Sequence, residues 1–291
     1  MGGRFMTAAG GKGANQAVGA AKAGGEVMFI ARIGRDMFGD AAVAGFLQAG
    51  INVDHIVRDP SSPSGVAMIF VASNGENSIA VASGANAKLS PSDVAKAKSS
   101  FVGAGVLVVQ LETPLRTVQA AAELAVQVGV PVILNPAPAC SLPDKLLKNI
   151  TIITPNETEA EMLTGIKINS KTTASRAADA LLIRGVKTVI ITLGSRGSFF
   201  ANGEGRGIIP GFKVNAVDTT AAGDIFNGSL AVALVEGKTM ENAVRFANAA
   251  AAISVTRMGA QVSAPTREEI EDFIIAANRK SGAYRTAARW D

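Results

Sequence analysis

The sequence predicts an α/β fold in which a mostly parallel central sheet carries helices on both faces. Short β-rich apolar runs recur at 27–33, 106–111, 130–134, 150–154 and 188–193. Segments of helical character, such as 115–128 and 174–184, lie between them. This alternation sets parallel strands side by side, with crossover helices above and below. Ligands of such sheets gather at the carboxyl ends of the strands. Glu112, Asn135, Asn156 and Gly194 each follow a strand directly, so they are expected to converge on one rim.

Taken in order, Gly10-Gly11-Lys12-Gly13-Ala14-Asn15-Gln16-Ala17 reads as a glycine-rich helix entrance. It is not a dinucleotide-binding fingerprint: the third glycine position falls on Gln16, and no strand precedes it. The run 27–33 is the first strand. The segments 66–72 and 78–82 break the alternation. They flank Ser73-Asn74-Gly75-Glu76, where Asn-Gly favours a tight hairpin. The strand 106–111 leads into Gln110-Leu111-Glu112, and Glu112 reads as a cap of the next helix because Pro114 suits a first-turn position. Strands 130–134 and 150–154 run into Asn135-Pro136-Ala137-Pro138-Ala139 and Pro155-Asn156-Glu157-Thr158-Glu159; Asn156 and Glu159 have the spacing of a capping box. The strand 188–193 enters Thr192-Leu193-Gly194-Ser195-Arg196-Gly197. Gly237-Lys238-Thr239 imitates the end of a Walker P-loop, but the earlier glycine it requires is Val232 and a helix precedes it, so it reads as a helix-to-helix turn.

Composition narrows the function. Hydrophobic residues make up 48% of the 291, enough for a large core. One cysteine, Cys140, excludes a disulfide framework, and one histidine, His55, excludes a Cys/His zinc site. No apolar run reaches membrane-spanning length and the start lacks signal-peptide regions, so a cytoplasmic location is expected. The net charge is +4 and aromatics are 5%, which offers no stacking platform, so nucleic acid and membrane are not expected partners. The basic residues Arg279, Lys280, Arg285 and Arg289 read as a solvated tail.

The most informative stretch is Asp218-Thr219-Thr220-Ala221-Ala222-Gly223-Asp224-Ile225-Phe226-Asn227-Gly228. Small residues allow a tight turn from which a helix begins. Backbone N–H groups at a helix start are unpaired and attract an anion. Asp224 places a carboxylate in the same turn. An anion cradle beside a carboxylate suits phosphoryl transfer to a hydroxyl, the carboxylate taking the proton. A plainly capped helix accounts for the same residues.

These motifs, in this order, resemble the ribokinase (PfkB) family of carbohydrate kinases from about Gly10 to about Phe273. The resemblance implies a three-layer ribokinase-like fold over 1–291, an inserted hairpin at 64–84 belonging to a β lid, and a tail of uncertain order at 274–291. It implies ATP-dependent phosphorylation of D-ribose at its 5-hydroxyl, with Asp224 as general base and Ala221, Ala222, Gly223 and Asp224 forming the anion hole. Gly11, Lys12, Gly13, Ala14, Asn15, Glu112 and Asp224 are implied sugar contacts. Asn156, Thr192, Leu193, Gly194, Ser195, Arg196, Gly197, Gly223, Asp224 and Asn248 are implied ATP contacts. Asn248 lies on the apolar helix 243–253 and reads equally well as a plain helix contact. Mg²⁺ is implied near Asn156 and Glu159. An activating K⁺ is implied at Asp218, Thr220, Ser254, Arg257, Gly259 and Ser263. A homodimer through the lid is expected where the lid is complete. A related pentose, deoxyribose or nucleoside kinase remains open, as does a catalytically impaired kinase-like binding protein.

The chain departs from the resemblance at its start. The family carries a strand, an Asn-x-Asp sugar segment and the first lid strands before the glycine-rich run. Here only residues 1–9 precede it, and they hold no carboxylate. Unpaired backbone and uncovered apolar surface are therefore expected beside the neighbouring strands.

Overall fold

The β-branched apolar runs do form the sheet. In the computed structural model, which describes residues 7–71 and 77–281, the chain enters through α1 (Lys12–Lys22), β1 (Ala31–Gly34), α2 (Met37–Gln48) and β2 (Ile56–Asp59). The hairpin β3 (Val66–Val71) and β4 (Asn77–Ala82) follows, then α3 (Pro91–Lys96) and α4 (Lys98–Phe101). The alternation continues as β5 (Leu107–Val109), α5 (Leu115–Gln127), β6 (Val132–Leu134), α6 (Asp144–Leu147), β7 (Ile152–Ile153), α7 (Glu157–Thr164), α8 (Lys171–Ile183) and β8 (Thr188–Thr192). It closes with β9 (Gly197–Asn202), β10 (Arg206–Pro210), α9 (Ala222–Val235), α10 (Met240–Ser254) and α11 (Arg267–Ser281).

One sheet has the order β10-β9-β8-β7-β6-β5, parallel from β5 to β8 and antiparallel at β9 and β10. The direction changes because only four residues separate β8 from β9, too few for a crossover helix. Side chains alternate between two cores. Ile133, Ile152, Ile190 and Phe200 meet α1, α9 and α10; Val132, Leu134, Ile153, Val189, Ile191 and Phe199 meet α5 and α8. The hairpin stands apart as β3 and β4, in antiparallel register from Val66 opposite Ala82 to Val71 opposite Asn77. Its expected turn at Ser73, Asn74, Gly75 and Glu76 lies outside the described residues. Helix α11 runs on to Ser281, beyond position 274 where the tail was expected to begin; 282–291 lie outside the described residues.

Helix α9 is buried on every side from Asp224 to Ala233, so it is packed all round rather than along one stripe. It contacts both α1 and α10. Glycine sets the closeness of the first contact. A Cβ on Gly228 would lie 2.4 Å from the Gln16 carbonyl oxygen, and one on Gly19 would lie 3.3 Å from the Ile225 Cα. The two backbones therefore touch. That brings residues 15 and 16 of α1 against the first turn of α9.

Strands β1 and β2 form a separate parallel pair. Ile30, Leu107, Val109 and Leu111 all pack on one core, whereas Val27, Phe29, Val106 and Val108 pack on the other. The segments at 27–34 and 106–111 thus share a sheet plane without being hydrogen-bonded to each other. All three residues of β5 are only half-buried, unlike those of β6 and β7, and Met28 is 41% exposed. Among the described residues, no strand pairs with the edge of β5 that faces away from β6. The Leu107 and Leu111 N–H groups donate to the Pro131 and Ala137 carbonyls, both at 2.9 Å, so the alternate amides of β5 point to the edge that no strand among the described residues covers. Amide hydrogen exchange followed by NMR is expected to show Val108 and Gln110 exchanging faster than Leu107 and Leu111. Equal protection would mean that this edge is covered in solution.

Candidate active site

The turn before α9 is an anion cradle. Ala221 has φ 60° and ψ 8°, the left-handed region, and no side chain caps the helix. A left-handed residue followed by helical ones curls successive N–H groups toward a common centre. Among the described residues, no protein acceptor takes the N–H of Gly223 or Asp224. A Cβ on Gly223 would meet nothing within 4 Å and its φ is not left-handed. Neither packing nor backbone geometry calls for glycine there, whereas close approach of a ligand does.

Asp224 lies directly beneath, 6% exposed. Asn15 Nδ2 donates to its Oδ2 at 2.9 Å and Gln16 Nε2 to its Oδ1 at 3.0 Å. Burial raises the Asp224 pKa above the usual carboxylate value; the bonds from Gln16 and Asn15 and the nearby Lys12 charge oppose that rise. Asn15 Oδ1 is buried with no hydrogen-bond partner. An orphan acceptor beside an ionised carboxylate suits a hydroxyl-bearing ligand.

The rest of the rim closes around this pair. The Lys12 N–H donates to Glu112 Oε2 at 2.7 Å, across one hundred residues. Of the two readings of Glu112, helix cap and sugar contact, the cap is not formed: α5 opens at Pro114 with no side-chain cap. Gly11, at φ 93°, allows the turn into α1 and keeps its own Cα near Glu112, while a Cβ on Gly13 would sit 3.0 Å from Gln110 Oε1. Ala14 is half-buried on the α9 side of the same helix. Lys12 also opposes a raised pKa at Glu159, where burial is the largest cause and the Asp224 charge adds to it. The Lys12 charge thus acts on both carboxylates.

On the nucleotide side, Asn156 and Glu159 form the expected capping box, with Asn156 Oδ1 accepting from the Glu159 N–H at 2.8 Å and Glu159 Oε2 accepting from the Asn156 N–H at 2.9 Å. Asn156 bridges to Thr192, placing the two loops side by side. Leu193, Gly194, Ser195 and Arg196 make a tight turn into β9, and Arg196 pairs with Glu157. Gly197, at φ 98°, is required there: a Cβ would fall 2.1 Å from the Ile209 carbonyl oxygen. Asn248 is anchored to the neighbouring hairpin. Its Oδ1 accepts from Ser198 Oγ at 2.8 Å and its Nδ2 donates to the Ile209 carbonyl at 3.2 Å, so the side chain ties α10 to the β9–β10 hairpin.

The loop positions expected around a cation also meet. Asp218 accepts from the Thr220 N–H and from the Gly259 N–H, each at 2.8 Å, and these bonds hold its pKa low. Among the described residues, no hydrogen bond engages the carbonyls of Thr220, Arg257 and Gly259. The Ser254 carbonyl accepts from the Arg257 N–H, and Ser263 Oγ donates to the Ala260 carbonyl at 2.7 Å.

Sequence reasoning assigned no role to Gln16, Thr154 or Asn227. Thr154 Oγ1 donates to Asn227 Oδ1 at 2.6 Å, and Asn227 Nδ2 donates to the Gly223 carbonyl at 2.7 Å, bracing the cradle from behind. A signal was present for Asn227, which is an amide inside the otherwise apolar run 225–228 of α9.

A buried carboxylate under an open helix N-terminus, on the carboxyl rim of a parallel sheet, defines a phosphotransferase that acts on a hydroxyl group. Comparison with known proteins gives the family. Residues 2–267 match the model of the pfkB family carbohydrate kinases, and the chain belongs to that family. It is 49% identical over 270 residues to a ribokinase of Haemophilus influenzae, covering 93% of this chain and 88% of the relative. It is 38% identical over 271 residues to a deoxyribokinase of Salmonella typhi, covering 93% and 89%. The solved structure of Arabidopsis thaliana ribokinase complexed with ribose and ATP superimposes with a TM-score of 0.86 at 35% identity, covering 92% of this chain and 88% of that one.

Gly223→Ala separates cradle from fold. Alanine is favoured over glycine in a helix by up to about 1 kcal/mol, so thermal stability should hold or rise slightly. The methyl group occupies the ligand's approach, so the KM for ATP should rise and kcat should fall. Unchanged kinetics would remove the cradle from the mechanism.

Proposed function

We propose that this chain transfers the terminal phosphoryl group of ATP to the 5-hydroxyl of D-ribose, giving D-ribose 5-phosphate and ADP. The observation that carries this reading is Asp224, buried, held by an amide on each oxygen and seated under the open N–H groups of α9. Asn15 Oδ1 and Glu112 accept from sugar hydroxyls. As the sugar oxygen bonds to phosphorus and the bond to ADP breaks, the hydroxyl proton passes to Asp224. The N–H groups of Gly223 and Asp224, together with the Lys12 ammonium, face the charge on the transferred phosphate. Magnesium bound with ATP supplies charge neutralisation; Glu159, whose Oε1 takes no hydrogen bond among the described residues, and Asn156 would hold it through their oxygens. Thr192 and the turn at 193–197 support the nucleotide.

An activating potassium ion is part of the proposal. Asp218 and the unengaged carbonyls of Thr220, Arg257 and Gly259 form an oxygen-only donor set of low charge. The ion would brace the loop that leads into the cradle. A cytoplasmic enzyme is proposed; among the described residues, no helix is long and apolar enough to cross a membrane. A homodimer through β3 and β4 is supported by the exposed Val66, Met68 and Val81. A second reading is a kinase-like protein of reduced turnover that still binds nucleotide.

Coupled assays of ADP release with ribose, deoxyribose and other pentoses test the activity; the absence of turnover on any of them would favour the second reading. Asp224→Asn should lower kcat roughly 10²–10⁴-fold while ATP binding, followed by calorimetry, persists. Asp224 accepts a proton only when ionised, and burial raises its pKa. The acid limb of the wild-type kcat profile should therefore fall above the ordinary carboxylate range, with activity lost as pH drops through it. Retention of more than about a tenth of kcat by Asp224→Asn would give the base role to another group. At fixed ionic strength, potassium should raise the rate over a large organic cation, and Asp218→Ala should erase the difference without abolishing ATP binding.

A further inference from the structure

We propose that Gln16 is a positioning residue for Asp224: it clamps the carboxylate from the middle of a directed chain of amides that begins at Gln110 and ends at the Thr154 carbonyl. The inference rests on Asp224 being the base.

The direction of every amide in the chain follows from its partners. A backbone carbonyl only accepts, so the group within 3.2 Å of the Thr154 oxygen is the Asn135 Nδ2. Asn135 then turns its Oδ1 to Gln16, which must answer with its Nε2 at 3.0 Å. The same Nε2 donates to Asp224 Oδ1 at 3.0 Å, as an ionised carboxylate also only accepts. Gln16 Oε1 therefore faces away and accepts from Gln110 Nε2 at 2.6 Å. No amide in the chain can flip without setting donor against donor or acceptor against acceptor. Gln16 is 3% exposed and Asn135 6%, so water does not substitute for a lost bond.

The clamp has two effects on the base. Both protons of the Gln16 amide are committed, one to Asn135 and one to Asp224, so the carboxylate plane is fixed by a group that is itself held at three points. Asn15 holds the other oxygen. Each Asp224 oxygen keeps acceptor capacity beyond its one amide donor, and the Asn15 Oδ1 beside it has no partner. The bond also favours the ionised form of Asp224 against burial. Gln110 adds a link to the sugar side, since it lies two residues before Glu112 on the rim.

Gln16→Met keeps length and volume and removes the donor. We expect kcat near neutral pH to fall roughly 10- to 100-fold, the loss typical of one hydrogen bond to a charged group. The acid limb of kcat should move to higher pH, so that activity is partly recovered in alkaline buffer, with the KM for ATP changed less than about twofold, because no nucleotide contact is touched. Gln110→Met, which removes one anchor and leaves the Gln16–Asp224 bond, should shift the limb the same way by less. That variant carries the test if Gln16→Met does not fold. A fall in kcat with an unmoved acid limb in both variants, or an unmoved kcat, overturns the proposal. Asp224→Asn keeps the two failures apart. If that variant stays active, the base assignment fails. If it is inactive while the acid limb of the Gln16 and Gln110 variants stays put, only the positioning role fails.

Discussion

The close crossing of α1 over α9 is the contact on which the site depends. Helices usually pack with axes 8–10 Å apart because side chains stand between them. Here Gly19 and Gly228 remove the side chains at the contact, and the Gln16 carbonyl comes within touching distance of the Gly228 Cα. At ordinary separation, Asn15 and Gln16 would not reach a carboxylate in the first turn of α9. The same crossing explains why α9 is apolar all round. Helix α1 covers one side, α10 another, and the sheet residues Ile133, Ile152 and Ile190 share its core.

The electrostatics follow from that burial. A base for a sugar hydroxyl has to stay ionised in a pocket from which water is excluded. An isolated buried carboxylate would simply take up a proton. A tightly paired cation would stabilise the charge but depress its basicity. Two neutral amides, one on each oxygen, hold the charge and leave the pKa raised. The cation nearby, Lys12, is shared with Glu159, so it serves the phosphate side without closing a salt bridge on the base. The Ala221 backbone carries the corresponding strain. A left-handed residue other than glycine costs about 1–2 kcal/mol, and here it aims the N–H groups of the cradle outward.

Much of the fold was legible because strands buried on both faces read as unbroken apolar runs. The expected strands at 106–111, 130–134, 150–154 and 188–193 contain β5, β6, β7 and β8, each trimmed at its ends. Less visible were α2, whose apolar residues show little helical periodicity, and β9, whose start at Gly197 is hidden in a glycine motif that reads as loop. Glu112 carries two readings in the sequence, a helix cap and a sugar contact. The local pattern before Pro114 suits a helix cap, but the carboxylate is taken by the N–H of Lys12, a partner one hundred residues away. The partners of Asn248 are hidden from local sequence, because the hairpin it bonds is formed by residues 39 to 50 positions earlier.

By itself the sequence determined the layered α/β architecture, the carboxyl rim as the place of the site, and the pairing of a cradle with Asp224. Each of these depends on local features: apolar runs, turn residues and the free N–H groups of a helix start. Only the tertiary structure decided how the base is held. Asn15 and Gln16 lie more than two hundred residues from Asp224, and the amide chain through Gln110, Asn135 and Thr154 draws on four separate elements or their ends. Hydrogen bonds between distant residues leave no periodicity for a sequence to display. They exist because two glycines let two helices touch.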